Sequence, residues 1–219
     1  IYPALIGSLY LGGLSALGGG ILGVLGGLFL AFYSDWKKIH MLLRLSIAGL
    51  SGIPSILYGL MGYTLLVYTF GWGRSLLTAA ITVSVLILPY VAIRMYKIFV
   101  EKALPYALEA QRLGMSKEYA LFRIVLLDTL PECLCTIALG MTYGIGAVAP
   151  ILYTGVVLNA QIPTKLTDPF MSLPYHLYML VTSGYGDDYA FATASVLLLF
   201  LLLVHGITKS IYIYRGRKR

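Results

Sequence analysis

The chain has 219 residues, of which 59% are hydrophobic and 11% charged, with a mean hydropathy of +0.85 and a formal net charge of +7. That balance excludes an ordinary soluble domain and places the chain in a bilayer. The positive charge needs no nucleic-acid partner, because its placement along the chain follows a membrane topology.

Five segments are long enough to cross a hydrocarbon core that needs about 20 residues of helix. They run from about Ala4 to Tyr33, Leu42 to Phe70, Leu76 to Tyr96, Glu132 to Leu158 and Tyr189 to Ile211. The expected fold is all-α and polytopic, with residues 1–219 as one membrane domain. The chain starts at Ile1 rather than Met, and no basic segment precedes the first apolar run, so an N-terminal piece is expected ahead of it. In the first span Gly19, Gly23 and Gly27 recur every four residues, a spacing that lets helices approach closely in lipid. Gly18-x-Gly20-x-x-Gly23 also spells a dinucleotide fingerprint, but that motif needs a preceding strand, and inside a span it is a chance match. Helix packing is the expectation, with a hinge at Gly18-Gly19-Gly20 as the alternative.

The second span is interrupted at Ser51-Gly52-Ile53-Pro54-Ser55-Ile56-Leu57-Tyr58-Gly59. Pro54 offers no backbone donor and collides with the carbonyl four residues back, so the helix must kink or open. Two readings stand: helix ends freed near mid-membrane to meet an anion, or a packing kink satisfied by Ser51 or Ser55. In the third span Arg94 is read as the one formal charge well inside a span, about a turn from its end. It either attracts an anionic substrate or snorkels to the interface.

Val100 to Pro131 is a polar interruption in which helix, turn and helix are spelled out. Pro105 suits a first helical turn, Gly114 a left-handed helix end, and Ser116 the cap of a second helix with Glu118 in its first turn. Helical spacing puts Tyr106, Ala110 and Leu113 on one face, with Glu109 and Arg112 pointing elsewhere. The fourth span begins with Cys133 and Cys135, read as reduced structural thiols, and breaks again at Gly144-Ile145-Gly146-Ala147-Val148-Ala149-Pro150. From Asn159 to Asp188 a loop carries an apolar patch, Phe170 to Leu180, that would serve as a docking ledge. His176 and Asp168, two ligands eight residues apart, are read as scaffold, and no metal site is expected.

All of the sixteen basic residues except Arg74 and Lys165 fall on one side of the five spans: in the first connection, in the elbow and its approach, and in the tail. The positive-inside rule then puts the elbow and the C-terminus in the cytoplasm, with a basic tail able to meet anionic lipid. No acid stands near mid-membrane, and His205 is the only titratable histidine in a span, so proton or sodium coupling lacks its usual groups. There is also no Gly-Lys pair, hence no Gly-x-x-x-x-Gly-Lys-Ser/Thr loop to cradle ATP. Energy must come from another polypeptide.

The elbow resembles the cytoplasmic coupling loop of ATP-binding-cassette (ABC) importer permeases, whose pattern is Glu-Ala-Ala, a spacer, Gly, a longer spacer and Ile-x-Leu-Pro. Aligned on Gly114, the triplet here is Leu108-Glu109-Ala110, with the acid one place late; Ile124-x-Leu126 falls one residue beyond the pattern, and Asp128 replaces its proline. Tyr2-Pro3-Ala4-Leu5-Ile6-Gly7-Ser8-Leu9, Gly52 to Gly59, Ile87-Leu88-Pro89-Tyr90-Val91-Ala92-Ile93-Arg94 and Asp168-Pro169-Phe170-Met171-Ser172-Leu173-Pro174 are similar to phosphate-importer permeases, the last stretch to the PstA-type subunit. Gly146-Ala147-Val148-Ala149-Pro150 stands where relatives commonly read Gly-Glu-Thr-Ala-Pro, and Lys97 where they often have an acid.

The resemblance implies a type I ABC importer permease in a prokaryotic plasma membrane. Its partners would be a second permease subunit, two ATP-binding subunits and an external phosphate-binding protein; the chain itself would be non-catalytic and hold no cofactor. Leu108, Glu109, Ala110, Gly114, Ile124 and Leu126 would couple to the ATPase, and Pro54, Ser55, Tyr58, Arg94 and Pro150 would line the pathway. Import of sulfate or molybdate is the alternative within this class; a gated channel or a structural membrane subunit is the alternative outside it.

Overall fold

The computed structural model describes residues 1–33, 37–184 and 187–216, and every regular element among them is a helix. In chain order these are α1 (Tyr2–Phe32), α2 (Lys37–Ser51), α3 (Ser55–Thr69), α4 (Leu76–Arg112), α5 (Lys117–Gly146), α6 (Val148–Thr154), α7 (Leu173–Ser183) and α8 (Asp187–Gly216). Arg217, Lys218 and Arg219 of the basic tail, and positions 185–186 of the loop expected outside, lie outside the described residues.

Among the described residues four helices are long and apolar enough to span a membrane, or five spans if α2 and α3, bent by 95° at Pro54, count as one. Their ends differ from the hydropathy limits. α4 passes Tyr96 and runs to Arg112, and α5 begins at Lys117 rather than Glu132. The elbow is therefore the two adjoining ends of long helices, not a separate helix pair. A π-helical turn over Phe99–Ala103 carries α4 up to Pro105, whose ring cannot donate a hydrogen bond, and a second over Leu121–Val125 lies near the start of α5.

α4 is the central helix. Ala79, Val83, Ile87, Val91, Met95, Phe99, Ala103 and Ala107 follow one another at four-residue intervals, each at most 1% exposed. The glycine stripe of α1 lies against this row. A Cβ at Gly23 would stand 2.7 Å from the Val91 Cβ, and one at Gly27 would stand 2.8 Å from the Met95 Cβ and 2.9 Å from the Ala92 carbonyl oxygen. Glycine is required at these crossings so that the two backbones can meet. The Gly18-Gly19-Gly20 stretch falls in a π turn, Ala16–Gly20.

The segment from Gly155 to Ser172 closes one end of the bundle. The carbonyls of Asp168 and Leu166 accept from the Leu76 and Leu77 amides, both at 2.9 Å, and so satisfy donors at the start of α4. The Asp168 carboxylate accepts from the Lys165 amide (2.9 Å) and from the Thr164 amide and hydroxyl (both 3.0 Å). These bonds hold its carboxyl below the usual carboxylate range. A depressed pKa contributes stability at neutral pH that is lost as pH falls through the folded value, so this turn loosens in acid.

Of the apolar patch expected as a docking ledge, the part from Phe170 to Pro174 turns inward. Phe170, Met171 and Leu173 are buried, and the Leu173 amide donates to the Ser8 hydroxyl of α1 at 2.8 Å. Gly7 faces the Met171 carbonyl. This first part of the patch is core because α1 offers a small residue and a hydroxyl where it docks, whereas Tyr178 is exposed and Tyr175, Leu177, Met179 and Leu180 are half-buried. By contrast α8 presents Leu198, Leu199, Leu202 and Leu203 outward, each more than half exposed, as a lipid-facing helix does.

Candidate functional site

The bend at Pro54 builds one wall of a cleft. With φ −55° and ψ 135°, Pro54 leaves the helical region and frees the Leu50 carbonyl. That oxygen accepts from the Ile53 amide (3.2 Å) and from the Tyr58 hydroxyl (2.7 Å), reached from the first turns of α3. The Ser51 hydroxyl donates instead to the Ile47 carbonyl at 3.0 Å, so Tyr58 supplies the bond that Ser51 or Ser55 was expected to supply. Tyr58→Phe should cost about 1–2 kcal/mol and lower the melting midpoint in detergent by a few degrees; an unchanged midpoint would show that the carbonyl does not depend on Tyr58.

The cleft has a volume of about 410 Å³. Leu50, Ser51 and Ile53 form the α2 side, Leu86, Pro89, Tyr90, Ile93, Arg94 and Lys97 the α4 side, and Tyr143 of α5 closes it. The Tyr90 and Tyr143 rings stand 5.9 Å apart. Two exposed cations enter this space, and among the described residues no acid lines it. A cationic cleft with low-dielectric walls concentrates anions.

Of the residues expected on a pathway, Arg94 lines the cleft, and Pro54 sets the bend that brings Leu50, Ser51 and Ile53 to it. Ser55, Tyr58 and Pro150 are not among its lining residues. Tyr58 is buried at the bend, and Pro150 is packed beneath α3, where a Cβ on Gly59 would stand 2.9 Å from the Pro150 Cα. The second break falls at Ala147, and Pro150 sits in the first turn of α6. Tyr90 and Tyr143 were missed, although Leu86, Tyr90, Ile93, Arg94 and Lys97 share a helical face that spacing alone could have found.

Arg94 also lines a second cavity of about 270 Å³, with Ile98, Lys102, Glu132, Cys135 and Thr136. Arg94 is thus not the only charge inside a long helix. Glu132, expected to open the fourth span, lies within α5 with its side chain 15% exposed, and its Oε1 accepts from Lys102 Nζ at 3.0 Å. The hydropathy limit had hidden it.

At the elbow, α4 ends in a Schellman motif: the Met115 amide donates to Ala110 (3.1 Å) and the Gly114 amide to Gln111 (3.0 Å), with Gly114 at φ +88°. The Ser116 hydroxyl accepts from the Tyr119 amide at 3.3 Å and caps α5. Ala110 is buried with Ala103 and Ala107, so it parts from Tyr106 and Leu113, the face it was expected to share. Tyr106, Leu108, Glu109, Arg112, Leu113, Tyr119 and Phe122 are exposed, Leu113 to 81%; Ile124 and Leu126 are half-buried. Lys117 Nζ lies 4.7 Å from the centroid of the Tyr33 ring and ties the elbow to the end of α1. A rigid turn bearing exposed apolar side chains is suited to a partner's groove.

His176 and Asp168 do not converge: His176 Nδ1 faces the Thr193 hydroxyl at 3.2 Å, and Asp168 is held in its own turn. Among the described residues no three His, Cys, Asp or Glu side chains are placed to hold a metal ion.

No protein-family model matches the chain. It is 32% identical to a Mycobacterium bovis protein named phosphate transport system permease protein PstA 2, over 92% of this chain and 67% of that one. It is 27% identical to the probable phosphate transport system permease protein PstA of Methanocaldococcus jannaschii, over 93% of this chain and 72% of that one, and 27% identical to the PstA of Haemophilus influenzae, over 94% and 73%. Among solved structures, an inward-facing MetNI methionine ABC transporter chain superposes with a TM-score of 0.77 at 15% identity, covering 95% of this chain and 92% of that chain. A chain of an amino acid ABC transporter solved with histidines gives 0.64 at 17%, covering 99% and 92%. The fold is that of an ABC importer permease.

Proposed function

Because the chain belongs to the PstA family of phosphate transport system permease proteins, we propose that it is the membrane-spanning permease subunit of an ATP-driven importer, carrying inorganic phosphate from an external binding protein to the cytoplasm. The observation that carries this reading is the cleft at the Pro54 bend, which Arg94 and Lys97 enter and which no acid lines among the described residues. Phosphate crosses as an anion, and the cleft offers it two cations beside the Tyr90 and Tyr143 rings.

The chain carries out no covalent chemistry and needs no cofactor of its own. A second permease subunit faces it across the pathway, two ATP-binding subunits grip the elbow through Leu108, Glu109, Gly114 and their neighbours, and the binding protein delivers from the opposite side. The basic residues around the elbow favour a cytoplasmic elbow and C-terminus in a prokaryotic plasma membrane. Closure of the ATPases would move the elbow, and the α2–α3 and α5–α6 breaks would pass that motion to the cleft.

The cleft's charge recognises oxyanions as a class, so sulfate or molybdate import is the second reading. Purification of the tagged chain in detergent tests the class. A co-purifying ATPase is expected; a channel or structural subunit would come away without one.

A further inference from the structure

A groove of about 420 Å³ lies where α1 meets the segment that closes the bundle, at the end away from the elbow. Leu9, Tyr10, Gly13, Leu14 and Leu17 of α1 form one wall and residues 163–166 the other, with Leu76 of α4 also lining it. Leu9, Gly13 and Leu17 follow one another at four-residue intervals, so the groove runs along α1 for about 12 Å. Its middle position has no side chain. Every other glycine of α1 would bring a Cβ within 4 Å of a neighbouring atom, whereas a Cβ at Gly13 would meet nothing within 4 Å. Gly13 therefore serves no helix crossing, and its φ is not positive, so it serves no left-handed turn either. Glycine nonetheless destabilises a helix interior relative to alanine. What Gly13 supplies is the open space above it.

The chemistry of the groove changes along its length. Leucines line it on α1, and the exposed Lys165 stands on the loop side. Among the described residues Lys165 Nζ has no carboxylate within ion-pair distance, and the Asp168 carboxylate, three residues on, is taken up by the Thr164 and Lys165 amides and the Thr164 hydroxyl. Lys165 also stands with Arg74 on the side opposite all the other basic residues, so the positive-inside rule does not account for it. A cation beside an apolar groove in a membrane protein fits a ligand with an anionic head and a long apolar tail. We propose that the groove binds an anionic phospholipid of the leaflet opposite the elbow, one acyl chain lying over Gly13 along Leu9, Leu14 and Leu17, and the headgroup phosphate meeting the Lys165 ammonium. Lipid tails are as apolar as leucine, so preference for this site rests on the notch at Gly13 and on the charge. A zwitterionic lipid, whose own amine offsets its phosphate, binds less well. The bound lipid clamps α1 to the segment whose Leu166 and Asp168 carbonyls satisfy the start of α4.

The test is photolabelling of the purified full chain in detergent micelles by a substoichiometric phosphatidylglycerol with a diazirine in its acyl chain, the labelled peptides being mapped by mass spectrometry. Label should concentrate on residues 9–17 of α1, while the outward-facing residues 198–203 of α8 report undirected contact. Unlabelled phosphatidylglycerol should compete for residues 9–17 at least about tenfold better than phosphatidylcholine, the worth of one hydrogen bond to a charged group. Lys165→Gln should remove that preference. Gly13→Phe fills the groove and should abolish the label on α1 with the label on α8 unchanged. Lys165→Gln alters only an exposed loop side chain, so it keeps the proposal testable if Gly13→Phe misfolds. Equal labelling of the two stretches, equal competition by the two lipids, a preference unaltered in Lys165→Gln or an α1 label unaltered in folded Gly13→Phe would each overturn the site. Repeating the labelling on the chain with its co-purifying subunits decides between lipid and protein. The label on residues 9–17 should persist there, and its loss on assembly would show that a polypeptide covers the groove and would overturn the lipid site.

Discussion

Replacing Gly114 by valine should abolish transport and substrate-stimulated ATP hydrolysis while the protein still inserts into the membrane. The residue sits at φ +88°, with nothing within 4 Å of where a Cβ would stand. Space is therefore no obstacle and the backbone conformation is the whole effect. A left-handed residue costs about 1–2 kcal/mol for an L-residue, and a β-branched one is a sharper outlier. The turn must then open, with loss of the Met115–Ala110 and Gly114–Gln111 bonds that fix the end of α4. Leu113, Tyr119 and Phe122 would no longer meet a partner together. Gly114→Asn, which tolerates this conformation, should keep most of the coupling. ATPase assays on reconstituted importer with and without loaded binding protein read the result, and normal stimulation in the valine variant would remove the elbow from the coupling path.

Arg94→Glu should lower phosphate uptake at least a hundredfold. At contact distance and the effective dielectric of a partly hydrated cleft, the lost attraction is on the order of 4 kcal/mol, and a hundredfold needs only about 2.7 kcal/mol. The new carboxylate adds repulsion. Arg94→Lys keeps the charge without the planar fork and should retain part of the uptake. Insertion should not change in either variant, because the other basic residues around the elbow still set orientation. If Arg94 only snorkels, Arg94→Gln transports like the parent, and wild-type transport by Arg94→Glu would take the residue out of the pathway.

What could be read from the sequence was local chemistry. Pro54 had to break a helix, Gly114 had to turn one and Ser116 had to cap one, because each effect is confined to a few neighbouring residues. The glycine stripe of α1 could be read as a packing face, though only the structure gave its partner, α4. Tyr58 could not be predicted as the donor to Leu50, since the 95° bend alone brings the two together. The lengths of α4 and α5 were hidden for a related reason. Polar residues ended the hydropathy run, yet nothing between Tyr96 and Leu104 ends a helix, and Pro105 follows a π turn. Reading the fourth span from Glu132 also concealed the pairing of Glu132 with Lys102 and the unpartnered hydroxyl of Thr136 on the same face. The Phe170 to Pro174 part of the apolar loop was misread because such a run looks like a surface until Gly7 and Ser8 are seen to receive it.

The central claim is that this chain passes phosphate to the cytoplasm at the expense of ATP. It is tested most directly by uptake of radiolabelled phosphate into cells lacking their own importer, supplied with the chain, its partner permease, the ATPase and the binding protein. Uptake should require all four, stop with the ATPase inactivated, and resist excess sulfate and molybdate. Uptake that persists without the ATPase would contradict the importer, and full competition by sulfate would contradict phosphate as its substrate.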